Sequence, residues 1–436
     1  MRQIYWMLNR WYDDQRGVIT AFSLFLLVVS LMVAGLGIDY GNALRARTTL
    51  QVVADATAHA ALIDREFSSS SSAASQAVSF AYSDLPFAAV GDIVDQSDIV
   101  FGAWDSSKHA FTADQTSRSA VKVTLHETST YGNPLSTFLL KLVGLNYWNI
   151  NVASVFEVYY PTCTKEGFVG QVAVNLQSNN TYLNGFCIHS NDQISLNSNN
   201  YFQAGTSVTM PAPSTIQLPT SGFTSSPGLS DALQKDSWDI RILNQIDTIA
   251  SGLSAGDARF LPSYITNTVP ITYSAGKIDS SSLAPGNIYV ATCSGNSPLN
   301  ISAGTILSKV VLVTNCNVNF GSNVQLHDVS IADTNTSSKA ITGASGLQVG
   351  MNDNCAPGGG AQILTDGGMN FPSAVSLFGG QLIAKSDVSF SANGNGVQGA
   401  SVISGGTVSG TSGMTMAYCG TGMEENYQAE YFRLVQ

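Results

Sequence analysis

The chain has 436 residues, of which only 11% are charged, and carries a formal net charge of −11. Residues 1–65 hold six Arg against five Asp, so the acidic excess lies beyond them, at 13 basic to 25 acidic residues. Nucleic acid requires dense Lys and Arg to displace counterions, so this balance argues against nucleic acid, and equally against an anionic lipid surface, as a partner of the later region.

From Val18 to Ile38 nothing is ionisable, and only Thr20, Ser23 and Ser30 are mildly polar. At about 1.5 Å rise per residue these positions form a helix of roughly 31 Å, the hydrocarbon thickness of a bilayer. Two rival readings exist. A removable signal peptide would use Ala34-Gly35-Leu36-Gly37 as its small-residue cleavage site, but secretory apolar regions usually run only about 7–15 residues. A buried soluble helix seldom lacks polar residues on every face. A permanent transmembrane helix over 18–38 is therefore expected.

Arg2, Arg10 and Arg16 precede the span and Arg45 and Arg47 follow it, a slight positive-inside bias. Tyr5, Trp6, Trp11 and Tyr12 suit an interfacial aromatic belt on the leading side. All six cysteines (Cys163, Cys187, Cys293, Cys316, Cys355, Cys419) come after the span. An even number of them on that side fits an oxidising compartment. Residues 1–17 are thus expected in the cytoplasm and everything after Asp39 outside it.

Residues 39–63 lack Pro and are rich in Ala and Leu, so they should continue the membrane helix. Two small ridges, Leu44/Thr48/Val52 and Val53/Thr57/Ala61, suit packing against a sheet or another helix. The Ser-rich run at 68–75 reads as a hinge, followed by a short helix over 74–82. Strands are predicted over 98–105, 120–127 and 149–160, the second alternating Val121, Val123 and Leu125 with Lys122, Thr124 and His126. Asn133-Pro134 should open a helix over 135–144. Residues 39–160 therefore read as a compact, pilin-like α+β module.

Over 161–436 short apolar groups recur between Gly/Ser/Asn turns, among them 194–196, 207–210, 309–313, 317–320, 375–377, 381–384, 388–390 and 401–404. The cadence, often about six to eight residues, suits a right-handed parallel β-helix-like solenoid, an all-β architecture. A disordered Ser/Gly tail would lack this regular apolar punctuation. Residues 230–253 read as an amphipathic helical insertion that breaks the solenoid or covers one end.

The segment from Arg16 to Ile63 resembles the N-terminal part of the TadG-like family of tight-adherence (Tad/Flp) pilus-assembly proteins. The shared features are Arg16-Gly17, the small residues Ala34, Gly35 and Gly37, then Asp39-Tyr40-Gly41, Ala46-Arg47, Leu50-Gln51 and Ala54-Asp55-Ala56. The resemblance implies a bacterial inner-membrane protein of the machinery that builds fimbriae for adhesion and biofilm formation. Its expected partners are other Tad/Flp membrane proteins and minor pilins. Phe22 stands five residues after Gly17 where a prepilin signal carries Glu, which speaks against pilin-type processing. The metal motif of some relatives, Asp-x-Ser-x-Ser, is not completed at Asp105-Ser106-Ser107 or at Asp279-Ser280-Ser281.

Chemistry is sparse. A β-helix polysaccharide lyase or hydrolase would need clustered carboxylates or calcium with a basic residue. No Arg lies between Arg259 and Arg433, and only Asp366, Lys385 and Asp387 could converge on neighbouring rungs. His59, His109, His126, His189 and His327 show no ligand spacing, and His327-Asp328 would point to opposite faces of a strand. Gly358-Gly359-Gly360 lacks the Lys of a phosphate loop. No catalytic, cofactor or metal residues are expected, and the cysteines read as structural disulfides. Sequential pairing, Cys163–Cys187, Cys293–Cys316 and Cys355–Cys419, suits spacings of one rung or a few. Ala34, Gly35, Gly37 and Gly41 are the expected helix-packing positions, because small residues let backbones approach closely in lipid. The function expected is structural or scaffolding. An envelope adhesin displaying the solenoid is the alternative.

Overall fold

A computed structural model describes residues 16–274, 276–294, 297–372, 374–390 and 396–436, with backbone alone at 16–18 and 162. The expected cytoplasmic residues Arg2 to Gln15, with their aromatic belt, lie outside the described residues. The chain forms two compact units, one of residues 1–159 with 430–436 and one of residues 160–429.

In the first unit the apolar run and the Ala-rich segment are one 50-residue helix, α1 (Arg16–Arg65). Its later half buries Leu50, Val53, Ala54, Thr57, Ala58, Ala61 and Leu62. Of the two expected ridges, Val53/Thr57/Ala61 packs inward. Leu44 and Val52 stay exposed, because the sheet meets α1 on one side only. The Ser-rich run is no hinge: Ser69 accepts the N–H of Ser72 and caps α2 (Ser70–Asp84), so the helix starts inside the run. Only the few residues after Arg65 break the chain.

Both helices cover one face of an antiparallel sheet built from β1 (Ile99–Asp105), β2 (Ala110–Ala113), β3 (Ala120–Glu127), β4 (Ile150–Tyr159) and β5 (Tyr431–Leu434), in the order β2-β1-β3-β4-β5. Val121, Val123 and Leu125 of β3 point into that core beside Phe101 and Val152, as the alternation requires. The closing strand corrects the reading of 161–436 as solenoid throughout. Tyr431 pairs with Tyr159 and Leu434 with Phe156, so the last residues complete the first unit's sheet. The 135–144 helix is also corrected. Leu135 pairs with Trp148 and Ser136 with Tyr147 in a small hairpin, whose tip holds a 3-10 turn (Leu140–Val143) closed by Gly144 at φ +89°. Gly144 takes the left-handed cap at no steric cost, ending the turn before a second helical turn forms.

The second unit is a stack of parallel strands, 17 in one hydrogen-bonded set and nine in another among the described residues, with the course of a β-helix-like solenoid. The first rung contributes three short strands, Gly167–Gly170, Ala173–Leu176 and Thr181–Tyr182. Corresponding residues recur about twenty apart: Cys187 pairs with Gly167, and Ser207 with Cys187. Asn side chains stitch the corners across that interval, Asn197 donating to Gln177 (2.6 Å) and Asn199 to Asn179 (3.3 Å). Asn179 and Asn199 both hold a left-handed backbone, φ 65° and 63°, which Asn tolerates better than other side chains. The interior is apolar and aromatic, with Tyr182 stacked on Phe202 at 4.6 Å between ring centroids.

The stacking order is not the chain order. The first rung pairs on one side with Cys187–Ser190 and on the other with the last, Ser401–Ser404. The chain therefore builds outward from the middle to Leu233–Lys235, crosses to the far end at Ile271–Ser274, and builds back. This crossing replaces the expected single helix over 230–253. Leu233–Lys235 is a solenoid strand, and the helix proper is Ile246–Ala255, with Ile246, Ile249, Ala250 and Leu253 buried.

Candidate membrane and assembly interface

The early half of α1 contains a run long and apolar enough to cross a membrane, with mean hydropathy 2.5. Its side chains from Ile19 to Ala34 are exposed throughout, unlike those of a core helix. A single-pass membrane anchor is the arrangement this exposure fits.

The four expected packing positions separate in the structure. Gly37 and Gly41 have nothing within 4 Å of where a Cβ would stand, and Ala34 is exposed. Gly35, by contrast, is buried by its own chain: a Cβ there would meet the Leu139 Cβ at 3.0 Å. One turn later the Asp39 carboxylate, only 2% exposed, accepts N–H groups of Phe138 (2.6 Å), Leu139 (3.0 Å) and Leu140 (2.7 Å). The apolar span thus ends on a bound hairpin tip. Sequence reasoning named Asp39 only as part of a motif. An isolated carboxylate directly after 21 non-ionisable residues was the signal for a group needing backbone donors.

The cysteines sit in the second unit as three disulfides, Cys163–Cys187, Cys293–Cys316 and Cys355–Cys419, with Cα separations of 5.0, 5.2 and 5.7 Å. The first two join chain positions 24 and 23 residues apart, close to one rung.

The solenoid gathers one set of titratable groups. Lys385 Nζ lies 2.6 Å from Asp366 and 2.6 Å from Asp247, the latter on the crossing helix. Asp387 takes no part; its carboxylate accepts the N–H of Thr407, one rung on, at 2.8 Å. Burial and the adjoining Asp247 push the Asp366 carboxyl up, while hydrogen bonds from Asp366 and Lys385 hold Asp247 down. Burial works against the Lys385 ammonium, yet the two carboxylates raise it above its usual range. Beneath them Asp333 is fully buried, accepting from the N–H of Asn335 (2.9 Å) and the Thr365 hydroxyl (3.1 Å). Burial lifts its carboxyl to about 8. The arrangement ties the crossing helix to the rungs. Asp247 could not be read beforehand, because only the path of the crossing brings it here.

Asp105 and Asp279 form turns, binding the N–H groups of Ser107 and Ser281, whereas Asp328 lies within the strand Gln325–Asp333 and binds that of Gly359. Gly358 and Gly359 lie at positive φ. Among the described residues no three His, Cys, Asp or Glu side chains are grouped to hold a metal ion.

Residues 17–76 match the family model for Flp pilus-assembly TadE/G-like segments, which covers most of α1 and reaches into α2. Residues 167–420 match a second model, described as Domain of unknown function (DUF7867), which covers the solenoid. Neither description names a catalyst. A search of the curated proteins returns no match. The N-terminal segment marks a component of Flp/Tad pilus assembly. Matched over more than half its length, the chain belongs to the family described as Domain of unknown function (DUF7867), and it carries a TadE/G-like segment ahead of that domain.

Proposed function

We propose that this protein is an inner-membrane scaffold of Flp/Tad pilus assembly, with its N-terminus in the cytoplasm and its two units in the periplasm, serving adhesion and biofilm formation. The observation that carries the reading is the coincidence of the TadE/G-like match, residues 17–76, with the exposed apolar helix. Three disulfides beyond the span support the oxidising side of the membrane. The solenoid acts as a rigid spacer or interaction surface, a reading supported by the strand pairing of successive rungs and by side-chain amide pairs such as Asn197–Gln177 and Asn199–Asn179. Partners are other membrane proteins of the machinery and minor pilins.

Deleting the gene in its own host and counting pili by electron microscopy, alongside surface attachment, tests this. Loss of pili together with attachment is the expected result. Normal pili with reduced attachment would overturn it in favour of an adhesin that displays the solenoid and uses α1 only as a tether.

A further inference from the structure

We propose that the tip of the Leu135–Trp148 hairpin inserts into the bilayer that carries α1, so that the anchor has a second, non-helical foot in the same leaflet. This rests on the membrane reading of α1 above.

Five large apolar side chains, Phe138, Leu142, Val143, Leu145 and Tyr147, are exposed within ten residues of one another, Phe138 at 66% and Leu142 at 68%. Contiguous exposed apolar surface of this kind marks a membrane or protein contact. Its place along α1 identifies which. The tip is held against Gly35 and by Asp39, the last turn of the apolar run and the first residue after it. At about 1.5 Å per residue, Gly35 lies roughly 5 Å inside the end of that run at Ile38. Interfacial elements sink about 5–10 Å into the headgroup and acyl boundary. The apolar surface of the tip is thus continuous with the apolar surface of the anchor and stands at interfacial depth.

Charge agrees. From Thr128 to Phe156 no acidic residue occurs, in a chain with 30 of them, and Lys141 is the sole ionisable side chain apart from two tyrosines. Lys141 extends over the Phe138 ring, 5.9 Å from its centroid, as an ammonium reaching from an apolar stem toward headgroups does. The Asp39 carboxylate, which would be costly at this depth, is satisfied by three N–H donors.

The test uses the full-length oxidised chain in phosphatidylcholine/phosphatidylglycerol liposomes containing lipids brominated at shallow or deep acyl positions. Single-cysteine variants Leu142→Cys, Val33→Cys and Gln115→Cys carry an environment-sensitive fluorophore. Val33 reports the anchor. Gln115 reports the far end of α1, where Arg65 reaches the Thr116 carbonyl. We expect fluorescence loss at 142 with shallow bromines exceeding that with deep ones, loss at 33, and none at 115. A label at 142 that is not quenched while 33 is would overturn the inference and leave the anchor standing, with the tip covered by protein. If neither 33 nor 142 is quenched, the anchor reading falls and the inference with it. A second chain, with Leu142→Ser and Leu145→Ser and the label at Phe138→Cys, should lose shallow quenching at 138; undiminished quenching there would also count against insertion.

Discussion

Asp333 shows how one buried group sets a pH dependence. Its carboxyl, fully enclosed and lifted by burial to about 8, is protonated in the folded solenoid well above the unfolded value near ~3.9. A raised folded value means that the group's stabilising contribution is complete below about pH 4 and is lost as pH rises through about 8. Asp366 beside it, also raised, has the same sign. Asp333→Asn keeps an oxygen for the Asn335 N–H and cannot ionise. We expect it to stabilise the solenoid at pH 8 by on the order of a few kcal/mol and to leave pH 4 nearly unchanged. Denaturant titrations across that range, followed by near-ultraviolet circular dichroism, check it; a variant with the wild-type pH slope would remove Asp333 as the source.

At the scale of elements, α1 presents different faces at adjacent small residues. Gly35 is closed by Leu139, whereas Gly37 and Gly41 are open and four residues apart, the spacing at which small residues bring membrane helices together. Gly37→Leu should therefore weaken co-purification of membrane partners while the disulfide-bonded solenoid stays folded. Unchanged co-purification would exclude packing through that face. What was legible beforehand followed local periodicity. The alternation of Val121, Val123 and Leu125 gave β3, and apolar pairs such as 401–404 gave solenoid strands within a residue or so. The helix read over 135–144 failed because its apolar residues do not share one core face; Phe138, Leu142 and Val143 are exposed on a tip held by Asp39 across about a hundred positions of sequence. The crossing over 236–270 and its Asp247 depend likewise on where the solenoid's ends lie, which no local pattern encodes.

At the scale of the whole molecule, the solenoid is an insertion in the sheet of the first unit. β4 ends at Tyr159 and β5 resumes with Tyr431, and these two residues are register partners. The strand YFRL was invisible as a sheet partner because its neighbour lies some 270 residues earlier and its four residues carry no period. Its neighbours within the sheet nevertheless fit it: Arg433 Nη2 lies 2.6 Å from Glu157, and the Tyr431 ring stands 5.8 Å from that of Tyr159. A two-residue turn is the shortest hairpin link, and Asn-Gly takes the type I′ form whose twist matches the flanking strands. Replacing residues 160–430 with Asn-Gly should therefore give a hairpin of β4 and β5 and a folded first unit. Truncation after Tyr159 should instead expose the β4 edge and aggregate. Amide exchange across β3 and β4 distinguishes the two chains, and loss of protection in the Asn-Gly chain would show that the insertion is needed for the sheet. The same chain, once folded, separates the two roles of the solenoid. Expressed in the deletion strain, it should fail to restore pili if the rungs are part of the assembly machine. Restored pili without restored attachment would assign assembly to the first unit and adhesion to the solenoid.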